Sequence, residues 1–174
     1  MPDQTTAVDF ERIFLPHMDA AYNLARWLVR NDHDAQDIVQ DAYLRALRFA
    51  GGFRGDNPRA WILAIVRNAA FSWLKSNRGS DPPVLFDENV HEGGAEETGL
   101  EADALRKADA TMIRAALEEL ADEFREVIVM RDIEGLSYKE IANAAEVPIG
   151  TVMSRLARAR TKLAQSVKNR IAKG

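Results

Sequence analysis

Residues 135–156 read GLSYKEIANAAEVPIGTVMSRL, and they contain the most specific pattern in the chain. Ser137 and Glu140 have the spacing of a capping box, in which each side chain accepts a hydrogen bond from the other residue's backbone N–H. A short helix is therefore predicted over 138–145. The next three residues, 146–148, indicate a tight turn, and their proline favours the start of a second helix.

The long final helix is predicted to have two distinct faces. Its apolar positions recur every three or four residues and comprise Ile149, Val152, Leu156, Ala159 and Leu163. Its polar side comprises Thr151, Ser154, Arg155, Arg158 and Lys162. A short capped helix, a tight turn and a long basic helix are typical of a helix-turn-helix, whose second helix enters the major groove of DNA. A plain helical hairpin with a solvated basic face is the alternative, and the three features together favour DNA binding.

Charge is distributed very unevenly along the chain, whose formal net charge is −4. Residues 1–78 carry a net +1, residues 79–105 a net −8 and residues 106–174 a net +3. The middle segment has no lysine or arginine and contains two prolines and four glycines. This composition predicts a flexible acidic linker between two helical domains, because such a segment buries too little apolar surface to offset its ordering entropy. A simple spacer and a functional acidic strand both stay open.

Three helices are predicted before the linker, over about 9–30, 33–50 and 58–78. The second has an apolar stripe of Ala35, Ile38, Ala42, Ala46 and Phe49. On the opposite side, charged residues step by three or four positions onto one face, namely Asp34, Asp37, Asp41, Arg45 and Arg48. Both spacings are typical of an amphipathic helix.

The third predicted helix interleaves basic and aromatic residues. From 57 to 80 it carries four cations and no acid, together with Trp61, Phe71 and Trp73. Basic residues among aromatics suit contacts to phosphates and stacking on bases. A core helix with buried aromatics and solvated cations explains the same composition, and composition alone slightly favours that second interpretation.

Composition excludes several classes of protein. The chain has 174 residues, 47% of them hydrophobic, and it has no cysteine, which excludes disulfides and thiolate chemistry. The longest apolar run, 61–66, is much shorter than the ~20 residues of a membrane helix. No basic stretch followed by an apolar one opens the chain, as a secretory signal would require. The sequence therefore predicts a cytoplasmic protein that does not insert into membranes.

Motifs of catalysis are also absent from the sequence. There is no phosphate-binding loop, nucleophile elbow or dinucleotide fingerprint. The three histidines, His17, His33 and His91, lie in separate segments without the spacing of metal ligands. We therefore expect neither enzymatic activity nor a cofactor or metal.

Two stretches of the sequence carry a family resemblance. Residues 136–142 and 147–156 (LSYKEIA and VPIGTVMSRL) resemble the DNA-binding domain 4 of bacterial sigma factors. Residues 34–46 (DAQDIVQDAYLRA) resemble the core-polymerase-binding helix of sigma domain 2. Two motifs in this order are more specific than a helix-turn-helix alone. Because the chain has no room for a folded domain 3, it resembles the small extracytoplasmic-function group of alternative sigma factors.

The resemblance implies an all-α fold of two small domains, a three-helix-type sigma domain 2 over 1–78 and a helix-turn-helix sigma domain 4 over 106–174, joined by the 79–105 linker. It implies binding to core RNA polymerase and to promoter DNA, and an anti-sigma factor as a further partner. The polymerase-binding residues it implies are Asp37, Gln40, Asp41, Arg45 and Arg48.

Promoter contacts are implied for both domains. The loop at 53–57 and the following helix correspond to the family's element that captures an unpaired base of the minus-ten sequence, with Arg54, Asp56, Asn57, Arg59, Arg67, Asn68 and Lys75 as the implied contacts. For the minus-thirty-five element they are Thr151, Ser154, Arg155, Arg158 and Lys162. Met153 and Ala157 stand where many relatives carry larger polar or aromatic residues, so base specificity does not transfer from the family.

Two rival functions remain at this point. A conventional helix-turn-helix regulator would need only the C-terminal domain, and it would leave the charged face around Asp37 and Asp41 without a purpose. An adaptor that sequesters other regulators is the third possibility.

Overall fold

The computed structural model describes residues 4–53, 57–77 and 100–173. These residues form eight α-helices and no strand, which confirms the predicted all-α class for this part of the chain. The helices are α1 (Gln4–Phe14), α2 (Met18–Val29), α3 (Asp32–Phe49), α4 (Pro58–Asn77), α5 (Leu100–Glu119), α6 (Asp122–Ile128), α7 (Tyr138–Ala145) and α8 (Ile149–Lys173). We call α1–α4 the N-terminal half and α5–α8 the C-terminal half.

The prediction of one helix over 9–30 was wrong, because the chain forms two helices there. A short 3-10 turn, Leu15–His17, separates α1 from α2. Pro16 lies in this turn, and a proline inside a helix removes one backbone donor and collides with the preceding turn. The break lets α1 and α2 take different directions, and both contribute to the same core through Phe14 and Leu24.

Helix α3 follows its predicted amphipathic pattern. The Asn31 side chain caps its first turn by accepting a hydrogen bond from the Asp34 N–H at 3.0 Å. Four of the five stripe residues are buried, whereas Phe49 is 65% exposed because the stripe has rotated away from the core by the last turn. The buried Tyr43 hydroxyl donates a hydrogen bond of 2.8 Å to the Phe14 carbonyl, which ties α3 to the end of α1.

Replacing Tyr43 by phenylalanine is expected to lower the free energy of unfolding by about 1 kcal/mol at neutral pH, because this hydrogen bond is lost. Burial raises the pKa of Tyr43 to about 12, with the Asp19 carboxylate as a smaller cause, whereas an unfolded tyrosine titrates near pH 10. The raised pKa stabilises the fold below pH 10, and this contribution is lost as the pH rises towards 12. Urea unfolding should therefore show wild type and Tyr43→Phe converging in stability above pH 10. A constant difference across that range would contradict the assignment.

Helix α5 begins inside the segment that the sequence predicted to be a linker. It starts at Leu100, so residues 100–105, predicted to belong to the linker, are helical. This segment, LEADAL, consists mostly of good helix formers, which explains the longer helix. The remainder of the predicted linker, up to residue 99, lies outside the described residues. Ile113 of α5 is 45% exposed.

The helix-turn-helix region has the local geometry that the sequence predicted. Ser137 Oγ accepts from the Glu140 N–H at 3.1 Å, and a Glu140 carboxylate oxygen accepts from the Ser137 N–H at 2.9 Å, so the capping box is present. Before it, α6 continues as a π-helical turn over Val129–Ile133, where the Glu134 N–H donates to the Val129 carbonyl at 2.9 Å. Turns of this kind often lie at functional sites.

Glu146 closes α7 in the left-handed conformation, with φ of 58°. A non-glycine residue loses roughly 1–2 kcal/mol there, and the larger unfolded-state entropy of glycine offsets part of that gain. Glu146→Gly is therefore expected to raise the free energy of unfolding by about 0.5–1 kcal/mol in thermal or urea unfolding. Glu146→Ala retains the strained φ and is the matched control, for which we expect no such gain.

Helix α8 is partly rotated relative to its prediction. Val152, Leu156 and Ala159 are buried, but Ile149 is 45% exposed. The prediction that Arg155 lies on the open side was wrong in part, since its side chain is only 25% exposed and lies 3.8 Å from the Glu123 carboxylate. The physical reason is that Arg155 precedes the buried Leu156 and therefore borders α6, which packs against α8.

The N-terminal and C-terminal halves pack directly against each other. Helix α4 packs against α7, and α2 packs against α6. Buried residues of both halves belong to one continuous hydrophobic cluster, in which Ile62 and Leu63 of α4 and Ile141 of α7 are fully buried. This arrangement decides which polar side chains of α4 are open to solvent.

Candidate polymerase and promoter surfaces

The predicted polymerase-binding residues form one exposed face of α3. Asp37, Gln40, Asp41, Arg45 and Arg48 are all exposed. Among the described residues, Asp37 and Asp41 form ion pairs with side chains one turn away on α3. His33 Nε2 lies 3.6 Å from Asp37, and Arg45 Nε lies 3.0 Å from Asp41. Exposed pairs of this kind contribute little to stability. We call these five residues the α3 polar face.

An apolar groove of about 670 Å³ lies beside the α3 polar face, between α3 and the α1–α2 segment. Gln40 belongs to both the face and the groove lining. Three apolar side chains of the lining are unusually open, Leu44 at 57%, Leu15 at 44% and Met18 at 39% exposed. Exposed apolar surface with a polar rim is typical of a protein-binding site.

Polar side chains at the N-terminal end of α4 contact residues of the C-terminal half. Asn57 caps α4 by accepting from the Ala60 N–H at 3.2 Å, and its Nδ2 donates to Glu140 at 2.6 Å. Arg59 forms an ion pair with Glu134. A second carboxylate oxygen of Glu134 accepts from Asn23 Nδ2 of α2 at 3.1 Å. The contacts Asn57–Glu140, Arg59–Glu134 and Asn23–Glu134 therefore join the two halves.

Arg67 donates two hydrogen bonds to one carboxylate of the C-terminal half. Its Nε and Nη2 donate to the two carboxylate oxygens of Glu126 at 3.2 and 3.1 Å, in a bidentate pair. Its guanidinium lies 3.9 Å from the centre of the Phe71 ring, and its Nη1 donates to Asn68 at 3.2 Å. The Glu126 side chain is fully buried, and that of Arg67 is 15% exposed.

The other predicted minus-ten residues are distributed differently. Asn68 and Lys75 are exposed on α4. Arg54 and Asp56 lie outside the described residues. Trp61 is half-buried, with its ring centre 5.0 Å from that of Phe14, and it packs against the core.

Arg125 is a charged side chain inside the contact between the halves. It is fully buried, and its Nε donates to the Trp27 carbonyl at 2.7 Å while Nη2 lies 3.5 Å from the Leu28 carbonyl. These carbonyls belong to the last turn of α2, where a helix has no internal donors left. The same guanidinium bonds the Leu120 carbonyl at 2.6 Å and Asp122 at 2.5 Å.

Burial acts against both charged residues of α6 in this contact. It lowers the pKa of Arg125, and the nearby Arg30 guanidinium lowers it further. Burial also raises the pKa of Glu126, a rise that the facing Arg67 guanidinium opposes. Each shift means that the charged form is less favoured here than in water.

Sequence reasoning missed Arg125, Glu126 and Glu134 as functional candidates. The available signal was the Arg125-Glu126 pair, because it interrupts a run of core positions between Leu120 and Met130. Nothing in the local pattern indicates that their partners lie on α2 and α4.

The polar side of α8 is largely open. Ser154 and Arg158 are exposed, and Thr151 is half-buried with its carbonyl accepting from Ser154 Oγ at 3.0 Å. Lys162 is exposed, and its ammonium lies 5.5 Å from the centre of the Phe124 ring. Together with Arg155, these are the five predicted minus-thirty-five residues.

The part of the chain that the structure describes contains neither a metal-binding cluster nor a membrane-spanning helix. Among residues 4–53, 57–77 and 100–173, no group of three or more histidines, cysteines or carboxylates is placed to hold a metal ion. Within the same ranges, no helix combines the length and apolarity needed to span a bilayer.

Two regions of the chain match models of known protein families. A model of sigma-70 region 2 matches residues 13–79, and a model of sigma-70 region 4 matches residues 110–163. The first includes the α3 polar face and all of α4, and the second includes the helix-turn-helix.

The chain is also similar to curated proteins and to solved structures. The ECF RNA polymerase sigma factor SigE of Mycolicibacterium smegmatis is 33% identical over 92% of this chain, which spans 62% of that protein's length. The RNA polymerase sigma-H factor of Pseudomonas aeruginosa is 31% identical over 87% of this chain and 82% of its own length. A solved structure of the sigma factor RpoE with the anti-sigma factor NepR from Bartonella quintana superposes with a TM-score of 0.74 at 27% identity, covering 92% of this chain and 97% of that chain. The structure of CnrH with the cytosolic domain of CnrY gives a TM-score of 0.64 at 26% identity, covering 92% of this chain and 88% of that chain.

Proposed function

This chain belongs to the extracytoplasmic-function group of the sigma-70 family, and from that premise we propose that it is an alternative sigma factor. It binds core RNA polymerase, directs it to a class of promoters and helps to open the minus-ten element. The observation that carries the proposal is the match to two sigma regions in order, one on each helical half. We further propose that the chain acts in the cytoplasm, without enzymatic activity or a cofactor.

The two halves divide this work. We propose that residues 1–78 form sigma domain 2, that residues 106–174 form sigma domain 4 and that the acidic stretch between them joins the two. The helical start of α5 at Leu100 makes the joining segment shorter than its composition suggests.

Core polymerase binds the α3 polar face and the adjacent apolar groove. The exposed side chains of Leu15, Met18 and Leu44 supply apolar area to bury. The mixed charges at the rim set orientation and association rate more than affinity. A helical partner fits this site, since an amphipathic helix lays its apolar face into such a groove.

The minus-ten strand contacts α4 and the loop before it. Arg54, Asp56, Asn57, Arg59, Arg67, Asn68 and Lys75 supply hydrogen bonds and positive charge to the unpaired strand. Extracting a base costs a few kcal/mol, so these contacts must return a similar amount. The minus-thirty-five element contacts α8, where the exposed Arg158 is the best placed side chain to reach base edges.

An anti-sigma factor is the third partner. The solved structure with the higher TM-score is, by its description, a complex of the sigma factor RpoE with the anti-sigma factor NepR. Because this chain contains no cysteine, any thiol-based sensing belongs to that partner.

Run-off transcription tests the proposed function directly. Purified core polymerase is incubated with this chain and a pool of promoter-containing fragments from the organism that encodes it, and the transcripts are sequenced. Specific initiation that depends on the chain supports the proposal. If core alone gives the same transcripts, while the chain still binds specific duplexes, it is a conventional helix-turn-helix regulator instead.

A further inference from the structure

The exposed side of helix α8 is divided into two flanks of different chemistry. The basic flank, described above, includes Arg158 and Lys162. On the other flank lie three apolar residues spaced four apart, Ile149, Met153 and Ala157. Ile149 is 45% and Met153 is 53% exposed, and Ala157 is also exposed. Residues four apart lie one above the other on a helix, so these three form one ridge, which we call the apolar ridge of α8.

Two small residues separate the apolar ridge from the basic flank. Gly150 and Ser154 are exposed, and a Cβ added to Gly150 would meet no atom within 4 Å. Ser154 Oγ donates to the Thr151 carbonyl at 3.0 Å, so its hydrogen is already engaged. Small residues at this position allow the helix backbone to approach a partner closely. The longer side chains of Met153 and Arg158 then extend on either side of that contact.

The cation that borders the apolar ridge is already paired. Arg160 follows Met153 by seven residues, about two helical turns, and therefore lies on the same side of α8. Its Nε and Nη2 donate to the two carboxylate oxygens of Asp132 at 3.2 and 2.6 Å. Asp132 belongs to the π-helical turn that follows α6. The ridge therefore offers methyl, methylene and thioether groups to its partner rather than a charge.

We propose that the apolar ridge of α8 binds the 5-methyl groups of thymines in the minus-thirty-five element. This inference rests on the proposed function, in which α8 enters the major groove. The thymine methyl is the main apolar group that the bases present in that groove. Against the ridge, the donors and acceptors of other base edges would lose water without gaining a partner, which is costly. The ridge therefore selects thymine, whereas Arg158 selects guanine.

Met153 is the principal residue of this contact. It lies at the centre of the ridge, and more than half of its surface is exposed. Methionine has three rotatable bonds and a polarizable thioether, which let its side chain adapt to the position of a methyl group. From Ile149 to Ala157 the helix rises about 12 Å, whereas stacked base pairs are about 3.4 Å apart. The ridge is therefore long enough to contact thymines in two or three neighbouring base pairs.

Continuity with the basic flank favours DNA over a protein as the occupant of the ridge. Arg158 and Lys162 are exposed on the same helix, within nine residues of Met153, and their charge suits a phosphate backbone. The ridge is one side chain wide, and Gly150 and Ser154 beside it add little apolar area. Apolar patches that bind proteins are broader.

Exchanging thymine for deoxyuridine tests the proposal, because the exchange removes only the 5-methyl group from the duplex. The duplexes are promoters that run-off transcription identifies, with each thymine of the minus-thirty-five element replaced in turn. In competition binding by holoenzyme, we expect at least one replacement to weaken binding by about two- to fourfold, the effect of one buried methyl group. Equal binding of every deoxyuridine duplex would overturn the proposal.

Met153→Ala should abolish this preference for thymine, so that holoenzyme binds the thymine and deoxyuridine duplexes equally well. Met153→Leu keeps an apolar side chain of similar volume and should retain the preference. Both variants should fold as wild type does, because the Met153 side chain is largely outside the core, and circular dichroism checks this. An unchanged preference in Met153→Ala would overturn the proposal.

Ile171→Ala is the matched control for loss of an exposed apolar side chain. Ile171 is 62% exposed in the last turn of α8, beyond the apolar ridge. We expect this variant to keep the wild-type ratio of affinities for thymine and deoxyuridine duplexes. An equal loss of preference in the Met153 and Ile171 variants would overturn the proposal. Weaker binding of Met153→Ala to core polymerase, with its thymine preference unchanged, would make the ridge a protein contact instead.

These outcomes are distinct from failure of the proposed function. The ratio of affinities for two duplexes that differ by one methyl group depends on the DNA contact, whereas run-off transcription tests initiation. If the chain proves to be a conventional helix-turn-helix regulator, the same comparison applies to duplexes that the free chain selects from a random-sequence pool. A chain that binds no duplex specifically, alone or with core polymerase, would contradict the thymine contact as well.

Discussion

Replacing Asp37 and Asp41 together by lysine is expected to weaken binding of the chain to core RNA polymerase by at least about 100-fold. Placing like charges opposite each other at an interface costs several kcal/mol, and each 1.4 kcal/mol is tenfold in affinity. The fold should persist, because Asp37 and Asp41 are 63% and 53% exposed and, among the described residues, their ion pairs lie within α3. Titration of labelled chain with core polymerase at fixed ionic strength measures the change.

The matched control for this variant moves the same charges elsewhere. Asp9 of α1 and Asp109 of α5 are exposed and lie outside the α3 polar face, so Asp9→Lys with Asp109→Lys should reduce affinity by less than about threefold, as expected for screened surface charges. If the α3 variant retained full affinity and native circular dichroism, the polymerase-binding surface would have to be sought elsewhere on the chain.

Arg158→Ala is expected to reduce discrimination between cognate and altered minus-thirty-five elements by about 5- to 150-fold. A bidentate arginine–guanine contact contributes roughly 1–3 kcal/mol of discrimination. Arg158→Lys should lose most of the same discrimination, since an ammonium lacks the planar fork of donors. Arg155→Ala should have a smaller effect, because its side chain is only 25% exposed and borders Glu123.

Lys162→Ala should behave differently from the three arginine variants. As a phosphate contact, Lys162 supports affinity for all sequences alike, so its loss should lower every affinity and reduce the salt slope by about one. Lys168, exposed on the same helix beyond the predicted contacts, is the control position for alanine. Competition binding by holoenzyme with duplexes altered only in the upstream element measures all five variants. Full discrimination by Arg158→Ala would mean that α8 positions the domain without reading bases.

Several features that the sequence predicted depend only on neighbouring residues. The capping box of Ser137 and Glu140, the buried α8 positions Val152 and Leu156 and the exposed acids of α3 each follow from side-chain spacing along one helix. The break at Pro16 was equally local and was missed because the apolar pattern continues across it. A proline signal outweighs periodicity at such a position.

The sequence by itself determined the all-α class, the helix-turn-helix and the family, because capping, helical periodicity and short motifs act within one or two turns of chain. Only the tertiary structure decided that Arg67, Arg59 and Asn57 meet Glu126, Glu134 and Glu140 across separations of 59, 75 and 83 residues. Such pairs have no periodic signal, since their formation depends on how α4 packs against the C-terminal half. The sequence was therefore sufficient to propose these side chains as promoter contacts, whereas their contacts with carboxylates of the same chain were not predictable from it.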